Sequence, residues 1–138
     1  FIQEFFKLLC FAASEREQEL YYTEAVFEYQ TDDPDYSDPD VCRVEDDFFL
    51  VASSFCNAPG LPVLHSKDLV NWKVISYAIE KIPGEQFDKP LHGHGVWAPA
   101  IRYHDGEFII FFPMPDEGIY VVKTKDPWGK WDEPTCLF

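Results

Sequence analysis

Asp38 is the residue whose setting best suits catalysis in this chain of 138 residues. It lies within the turn sequence Ser-Asp-Pro-Asp of residues 37–40, directly before a strand pattern. Pro39 disfavours helical backbone at the residue before it, so we expect Asp38 to be extended and its carboxylate to be aimed by rigid backbone. A carboxylate held in this way can accept a proton as a general base. The alternative is that Asp38 only caps the turn.

Two aromatic residues and one histidine are candidates for the walls of a pocket near that carboxylate. Trp97 opens the second half of the chain, and an indole provides a stacking surface for the apolar face of a sugar ring. An equal alternative is that Trp97 seals two packed sheets. Phe55 ends a strand pattern and could form a second wall, although Phe is more often simply buried. His94 is the histidine whose loop is expected to face the same channel.

A repeat of about 60 residues would bring these positions together. The matching segments are residues 39–41 with 99–101, residues 47–51 with 107–111, and residues 60–68 with 118–126. Trp72 and Trp131 close the two units. A strand-rich unit repeated at a fixed interval is typical of a β-propeller, in which the innermost strand of each blade lines a central channel. We therefore predict an all-β fold of two successive blades, with Asp38 opposite Ala98 at the two entrances.

The turns and strands follow from local composition. Short β-branched or aromatic runs predict strands over residues 21–29, 41–44, 48–54, 61–66, 72–79, 100–103, 107–113 and 119–124. A hairpin turn is expected at His-Asp-Gly, residues 104–106. Residues 82–95 hold two prolines and three glycines, which predicts an irregular loop between the blades. No segment shows convincing helical periodicity.

Composition argues against several classes of function. The formal net charge of −14 repels phosphate backbones, so nucleic acid is not expected as a partner. The cysteines form no C-x-x-C pair and have no histidine at metal-finger spacing, so no metal site is predicted in this chain. A disulfide between Cys42 and Cys56 stays open. Phosphate-binding and dinucleotide-binding motifs are absent from the sequence, which disfavours nucleotide chemistry.

Residues 1–20 are interpreted as a leader before a domain that covers residues 21–138. Residues 5–14 are similar to the end of a signal peptide, which would imply a secreted or periplasmic protein; a short amphipathic or disordered leader is the alternative. No segment approaches the ~18 uninterrupted apolar residues needed to span a bilayer.

The motifs together resemble those of glycoside hydrolase family 43. The resemblance rests on DYSDPDVCRV at residues 35–44, VASSF at 51–55, PGLPVLHSKDLVNW at 59–72 and GVWAPAIRYH at 95–104. It covers residues 21–138 and is strongest toward β-xylosidases and α-L-arabinofuranosidases. It implies a five-bladed β-propeller with a pocket on its axis, which agrees with the repeat.

The resemblance also implies a reaction. It makes Asp38 the general base of an inverting hydrolysis of plant hemicellulose, such as xylan or arabinoxylan oligosaccharides, and it makes Phe55 and Trp97 walls of the sugar subsite. The family's acid and its pKa-tuning carboxylate belong to later blades, which this chain lacks. Because inversion needs two carboxyl groups, we expect the chain alone to be inactive. No cofactor is evident, and the axial calcium of many family members would be bound through later residues.

Two positions depart from the family pattern. Residues 31–34 (Thr-Asp-Asp-Pro) replace an Asn-Pro-hydrophobic strand, and Glu45 stands where a glycine is usual. A positive φ at Glu45 would cost roughly 1 kcal/mol, because its Cβ crowds the backbone there. The alternative function is a non-catalytic carbohydrate-binding or structural propeller module. The sequence leaves the choice between xylose and arabinose open.

Overall fold

The computed structural model describes residues 36–89 and 91–138, which form eight β-strands and one short 3₁₀ helix. The elements are β1 (Asp40–Val44), β2 (Asp47–Val51), β3 (Gly60–Ser66), β4 (Lys73–Ile79), the 3₁₀ helix (Glu85–Asp88), β5 (Ala100–His104), β6 (Glu107–Met114), β7 (Gly118–Thr124) and β8 (Thr135–Cys136). The predicted leader and the predicted strand over residues 21–29 lie outside the described residues.

The strands form two four-stranded antiparallel sheets, ordered β1-β2-β3-β4 and β5-β6-β7-β8. The first and third strands of the two sheets match in length: β1 and β5 each have five residues, and β3 and β7 each have seven. The predicted all-β fold and the repeat are therefore confirmed. We call the first sheet blade 1 and the second sheet blade 2.

Tight turns at the ends of β1 and β5 set the register of the inner hairpins. His104 pairs with Glu107, and the two residues between them, Asp105 and Gly106, have φ of 50° and 81°. Positive φ at both positions is the mirror-image turn that matches strand twist, as the Asp-Gly sequence predicts. At the equivalent turn of blade 1, Glu45 has φ 55°. The expected backbone strain at Glu45 is therefore present.

A buried apolar layer joins the two blades. It is formed mainly by side chains of the strands that face each other, including Phe49, Val51, Val63, Ile101, Phe108, Ile110 and Val122. Phe49 of blade 1 meets Phe108 of blade 2 edge to face, with ring centroids 4.6 Å apart. Aromatic pairs in this geometry contribute about 0.5–1.5 kcal/mol beyond their buried area. This layer fixes the angle between the blades and hence the positions of their entrances.

Asp40, the first residue of β1, links the two inner strands through hydrogen bonds to the beginning of β5. Its Oδ2 accepts hydrogen bonds from the backbone N–H of Ile101 at 2.8 Å and from Nη1 of Arg102 at 2.7 Å. Burial raises the pKa of Asp40 above its ordinary value, and the nearby guanidinium of Arg102 partly offsets that rise. The ion pair places the start of β1 beside the start of β5.

Two further expectations can be compared with the described residues. Cys42 and Cys56 are free thiols, so the open alternative of a disulfide between them is not realised. Within residues 36–89 and 91–138, no helix is long and apolar enough to cross a membrane.

Candidate functional site

The candidate site lies where β1 and β5 begin. Because β2 runs antiparallel to β1, with Val51 paired to Asp40, the residues that follow β2 return to the same end as Asp38. The segment that leads into β5 arrives there too, since Val96 forms a β-bridge with Phe55. The structure thus gathers Asp38, Phe55 and the segment of residues 93–97 at one end of the blades. We call this end the mouth.

Asp38 is exposed at the mouth, but its backbone is not extended as the sequence predicted. Its φ is 51°, in the left-handed region. Proline at the next position disfavours right-handed helical backbone, and Asp is among the few residues that tolerate the left-handed region. Ser53 donates from Oγ to Oδ2 of Asp38 at 3.0 Å, which fixes the direction of the carboxylate. Unusual backbone of this kind often occurs at functional residues.

Phe55 is half-buried beside the segment that carries Trp97. Its N–H donates to the carbonyl of Val96 at 2.9 Å, and the N–H of Val96 donates back at 3.0 Å. Gly95 permits this close approach, because it has φ 93° and any Cβ there would collide with the carbonyl of Phe55. A side chain at position 95 would therefore push the two candidate walls apart.

Trp97 is 43% exposed and lies outside the buried layer between the described blades. Its N–H donates to the carbonyl of Pro113 at 3.0 Å, and its Nε1 donates to the carbonyl of Gly93 at 3.1 Å. Both ends of the residue are thus anchored while much of the indole stays open to solvent. The sequence left two equal roles for Trp97, a pocket wall and a seal between packed sheets. Its placement favours the pocket wall.

His94 is paired with an acidic residue that the sequence analysis did not identify. Its Nδ1 lies 2.8 Å from Oδ2 of Asp116, in the turn between β6 and β7. An ionised carboxylate only accepts, so Nδ1 carries the proton and Nε2 is left for another partner. Gln86 donates to Glu117 in the same turn at 2.8 Å. The turn sequence Pro-Asp-Glu-Gly could be found from composition, but its pairing with a loop 22 residues away could not.

The mouth therefore offers the exposed and oriented carboxylate of Asp38, an indole, a phenyl ring and an imidazole that is paired with Asp116. Asp40, two residues beyond Asp38, is occupied by its bonds to Ile101 and Arg102. No group of three or more His, Cys, Asp or Glu residues suited to a metal ion occurs in the part of the chain that the structure describes. The chemistry that fits is proton transfer beside a stacked ring.

Comparison with known protein families gives a direct match. The model of the family described as Glycosyl hydrolases family 43 matches residues 31–138. A non-reducing end α-L-arabinofuranosidase of Bacteroides ovatus is 43% identical in an alignment of 109 residues that covers 72% of this chain and 20% of that protein. A β-xylosidase of Bacillus subtilis is 32% identical over 108 residues, again 72% of this chain and 20% of the relative.

Solved structures agree with these relatives. A Bacteroides ovatus protein of a xyloglucan utilisation locus has a TM-score of 0.60 and 44% identity, with 72% of this chain and 21% of that one covered. A xylan β-1,4-xylosidase from Bacillus halodurans has a TM-score of 0.60 and 27% identity, with 74% and 22% covered. These neighbours are five-bladed propeller enzymes. The chain spans about a fifth of the length of the curated relatives it matches.

Proposed function

The chain belongs to glycosyl hydrolase family 43, and from this membership we propose that the protein hydrolyses O-glycosidic bonds of plant hemicellulose, with Asp38 as general base. The observation that carries the proposal is the exposed carboxylate of Asp38, oriented by Ser53 at the same end of the blades as the open indole of Trp97. The substrates are xylan or arabinoxylan oligosaccharides, the class that the xylosidase and arabinofuranosidase names of the relatives suggest.

In the proposed reaction, Asp38 takes a proton from a water molecule as the water oxygen forms its bond to the anomeric carbon. The bond from that carbon to the leaving oxygen breaks, and a second carboxyl group protonates the leaving oxygen. Inversion places the two carboxyl groups about 6.5–9.5 Å apart, with room for the water between base and sugar. The relatives are about five times the length of the matched region, and we assign the second carboxyl group to the later blades. These two blades supply the base.

The remaining residues of the mouth would bind the sugar. Trp97 and Phe55 form the walls that position the ring, since an indole or phenyl face packs against the C–H face of a pyranose or furanose. His94 would direct Nε2 toward a sugar hydroxyl, because Asp116 occupies Nδ1. Asp116 thereby selects the ring tautomer, as carboxylates commonly do for functional histidines.

Hydrolysis by the full-length protein that carries this chain tests the proposal. We expect release of 4-nitrophenol from the α-L-arabinofuranoside or the β-D-xyloside, and proton NMR should detect the inverted anomer first. Asp38→Asn should lower kcat by roughly 10²–10⁴-fold, because the amide keeps the shape of the side chain but cannot accept the proton. Asp46→Asn, at the exposed turn on the other end of β1, is the matched control and should leave kcat unchanged. An Asp38→Asn variant with near-normal kcat would reduce Asp38 to a turn cap. Sugar binding without turnover in the wild type would instead favour a non-catalytic module.

A further inference from the structure

Trp128 is an exposed aromatic residue at the opposite end of the strands from the mouth. It lies in the turn between β7 and β8 and is 53% exposed. Its N–H donates to Oδ1 of Asp126 at 3.1 Å, and the carbonyl of the preceding Pro127 accepts from Ser76 at 2.6 Å. These bonds hold the backbone of the turn in place while much of the Trp128 side chain stays open. A rigid exposed indole loses little conformational entropy when it binds a ligand.

Two residues of blade 1 support part of the indole. Phe49 contacts it edge to face, with ring centroids 5.4 Å apart, and the ring of His65 lies at 5.3 Å. Phe49 and His65 are cross-strand partners on β2 and β3, so they project from the same face of blade 1. The support comes from one blade and the indole from the other.

Hydrogen-bonding groups adjoin the ring of His65, which contacts this indole. Asp47 accepts from Nε2 of His65 and from Nζ of Lys67, the latter at 2.8 Å. The hydrogen bond from Lys67 is the main cause that lowers the pKa of Asp47, and the one from His65 is the next. The carboxylate therefore remains an acceptor, and the exposed ammonium of Lys67 remains a donor. A stacking ring flanked by an acceptor and a donor is the composition that recognises a sugar and its hydroxyls.

We propose that Trp128, His65, Asp47 and Lys67 form a second carbohydrate-binding surface, which holds a sugar unit within a hemicellulose chain. The choice of hemicellulose rests on the proposed function. The exposed apolar area here is essentially one ring, far below the roughly 1,000 Å² that a specific protein interface buries. The charges are paired with each other, which suits a neutral ligand better than a polyanion.

This surface is separate from the mouth. Ser53 contacts Asp38 at one end of the β2 segment, and Phe49 contacts Trp128 toward the other. Ser53 lies four positions after Phe49, which corresponds to roughly 13 Å of extended chain. A polysaccharide held at Trp128 therefore leaves the mouth free to receive a chain end. Binding at this surface would raise the concentration of ends near Asp38.

Blade 1 supplies a matched control for Trp128. Val70 occupies the equivalent turn: its N–H donates to Oδ1 of Asp68 at 2.9 Å, as Trp128 donates to Asp126, and its side chain is 55% exposed. This turn position therefore carries an exposed apolar residue in both blades. Of the two described blades, only blade 2 has an aromatic residue there.

Affinity electrophoresis of the full-length protein in native gels that contain soluble arabinoxylan tests this surface. We expect the polymer to retard the wild type and Trp128→Ala to bind about tenfold more weakly, while Trp128→Tyr retains most of the affinity. Val70→Ala should bind as the wild type does. Turnover of 4-nitrophenyl α-L-arabinofuranoside or β-D-xyloside, too small to occupy both places, should be unchanged in all three variants.

Three outcomes would overturn the second surface: no retardation of the wild type, equal retardation of Trp128→Ala, or an equal loss in Val70→Ala. If Trp128→Ala fails to fold, Lys67→Ala decides, because its side chain is exposed and its loss should weaken retention about threefold. Unchanged retention of Lys67→Ala would then contradict the assignment. A wild type that binds arabinoxylan but turns over neither glycoside would contradict the proposed function and leave the binding surface intact.

Discussion

The hydroxyl of Ser53 donates to the carboxylate of Asp38 at 3.0 Å, so the segment that follows strand β2 orients a side chain that precedes strand β1. Ser53 is itself fixed: it is buried, and its N–H donates to the carbonyl of Ser37 at 2.9 Å. The hydrogen bond between Ser53 and Asp38 joins residues 15 positions apart in the chain. It gives Ser53 a positioning role for the proposed base.

The first prediction concerns this hydrogen bond. Ser53→Ala should lower kcat by about tenfold, because Asp38 loses the group that selects its rotamer, while KM changes little. Ser53→Thr, which keeps the hydroxyl, should recover much of the rate. In an Asp38→Asn background, Ser53→Ala should have no further effect on kcat, since the residue it positions is already disabled.

Ser54→Ala is the matched control for Ser53. Its Oγ accepts from the N–H of Leu61 at 3.0 Å and does not contact Asp38. We expect Ser54→Ala to lower the unfolding free energy by about 1 kcal/mol and to leave kcat unchanged. If both serine variants lower kcat equally, the effect of Ser53 is general destabilisation and the positioning role is wrong.

The second prediction concerns Trp97 in the full-length protein. Trp97→Ala should lower kcat/KM several-fold or more with an unfolding midpoint near that of the wild type, because the exposed ring leaves no core cavity. Trp131 provides the contrast, because it is only 4% exposed and packs in the buried layer between the blades. Trp131→Ala should cost about 3–5 kcal/mol of stability. A large stability loss in Trp97→Ala, with normal kinetics per folded molecule, would restore the sealing role.

The sequence predicted the strands well because their signals are local. Predicted and observed bounds of β1, β3 and β7 differ by one residue at the start, since β-branched runs bounded by turn residues such as Asp-Asp and Pro-Gly define them. The two-residue strand β8 was missed. It forms through pairing of Thr135 with Val121 and Cys136 with Tyr120, which is a tertiary effect.

The site was predictable in residue type but not in geometry. Asp38 was expected to be extended and is left-handed, because the rule for residues before proline excludes one region without choosing among the others. The pairs Asp38–Ser53 and His94–Asp116 join separate turns. Such pairs depend on how strands pair and how loops run in the folded chain, which a single sequence does not encode locally.

The third prediction concerns Gly95, in the segment that carries Trp97. It separates the strain of a side chain at positive φ from the collision of a new Cβ with Phe55. Gly95→Ala should lower both stability and kcat/KM, because its φ of 93° is unfavourable for alanine and the new Cβ meets the carbonyl of Phe55. Gly106→Ala, in the turn between β5 and β6 at the other end of the strands, is the control, since its φ of 81° imposes a similar strain but nothing lies within 4 Å of the Cβ. Gly106→Ala should cost about 1–2 kcal/mol and keep normal kinetics. Equal kinetic effects would show that the contact with Phe55 does not hold the pocket walls.

The last prediction is a pH dependence of stability that arises from Asp68 in the turn after β3. Its carboxylate accepts from the backbone N–H and the side-chain amide of Asn71 and from the N–H of Val70. These bonds, led by the backbone N–H of Asn71, hold the pKa of Asp68 below its ordinary value of 3.8. A lowered pKa in the folded state stabilises the protein fully above the unfolded pKa and progressively less as the pH falls through the folded value. Asp68→Asn should therefore lower the urea midpoint most near about pH 7, and the difference from the wild type should shrink toward about pH 3.

Asp46 provides the control, because its carboxylate is 91% exposed. Asp46→Asn should leave the urea midpoint unchanged over the same pH range. A difference for Asp68→Asn that stays constant or grows on acidification would show that its hydrogen bonds do not favour the ionised carboxylate.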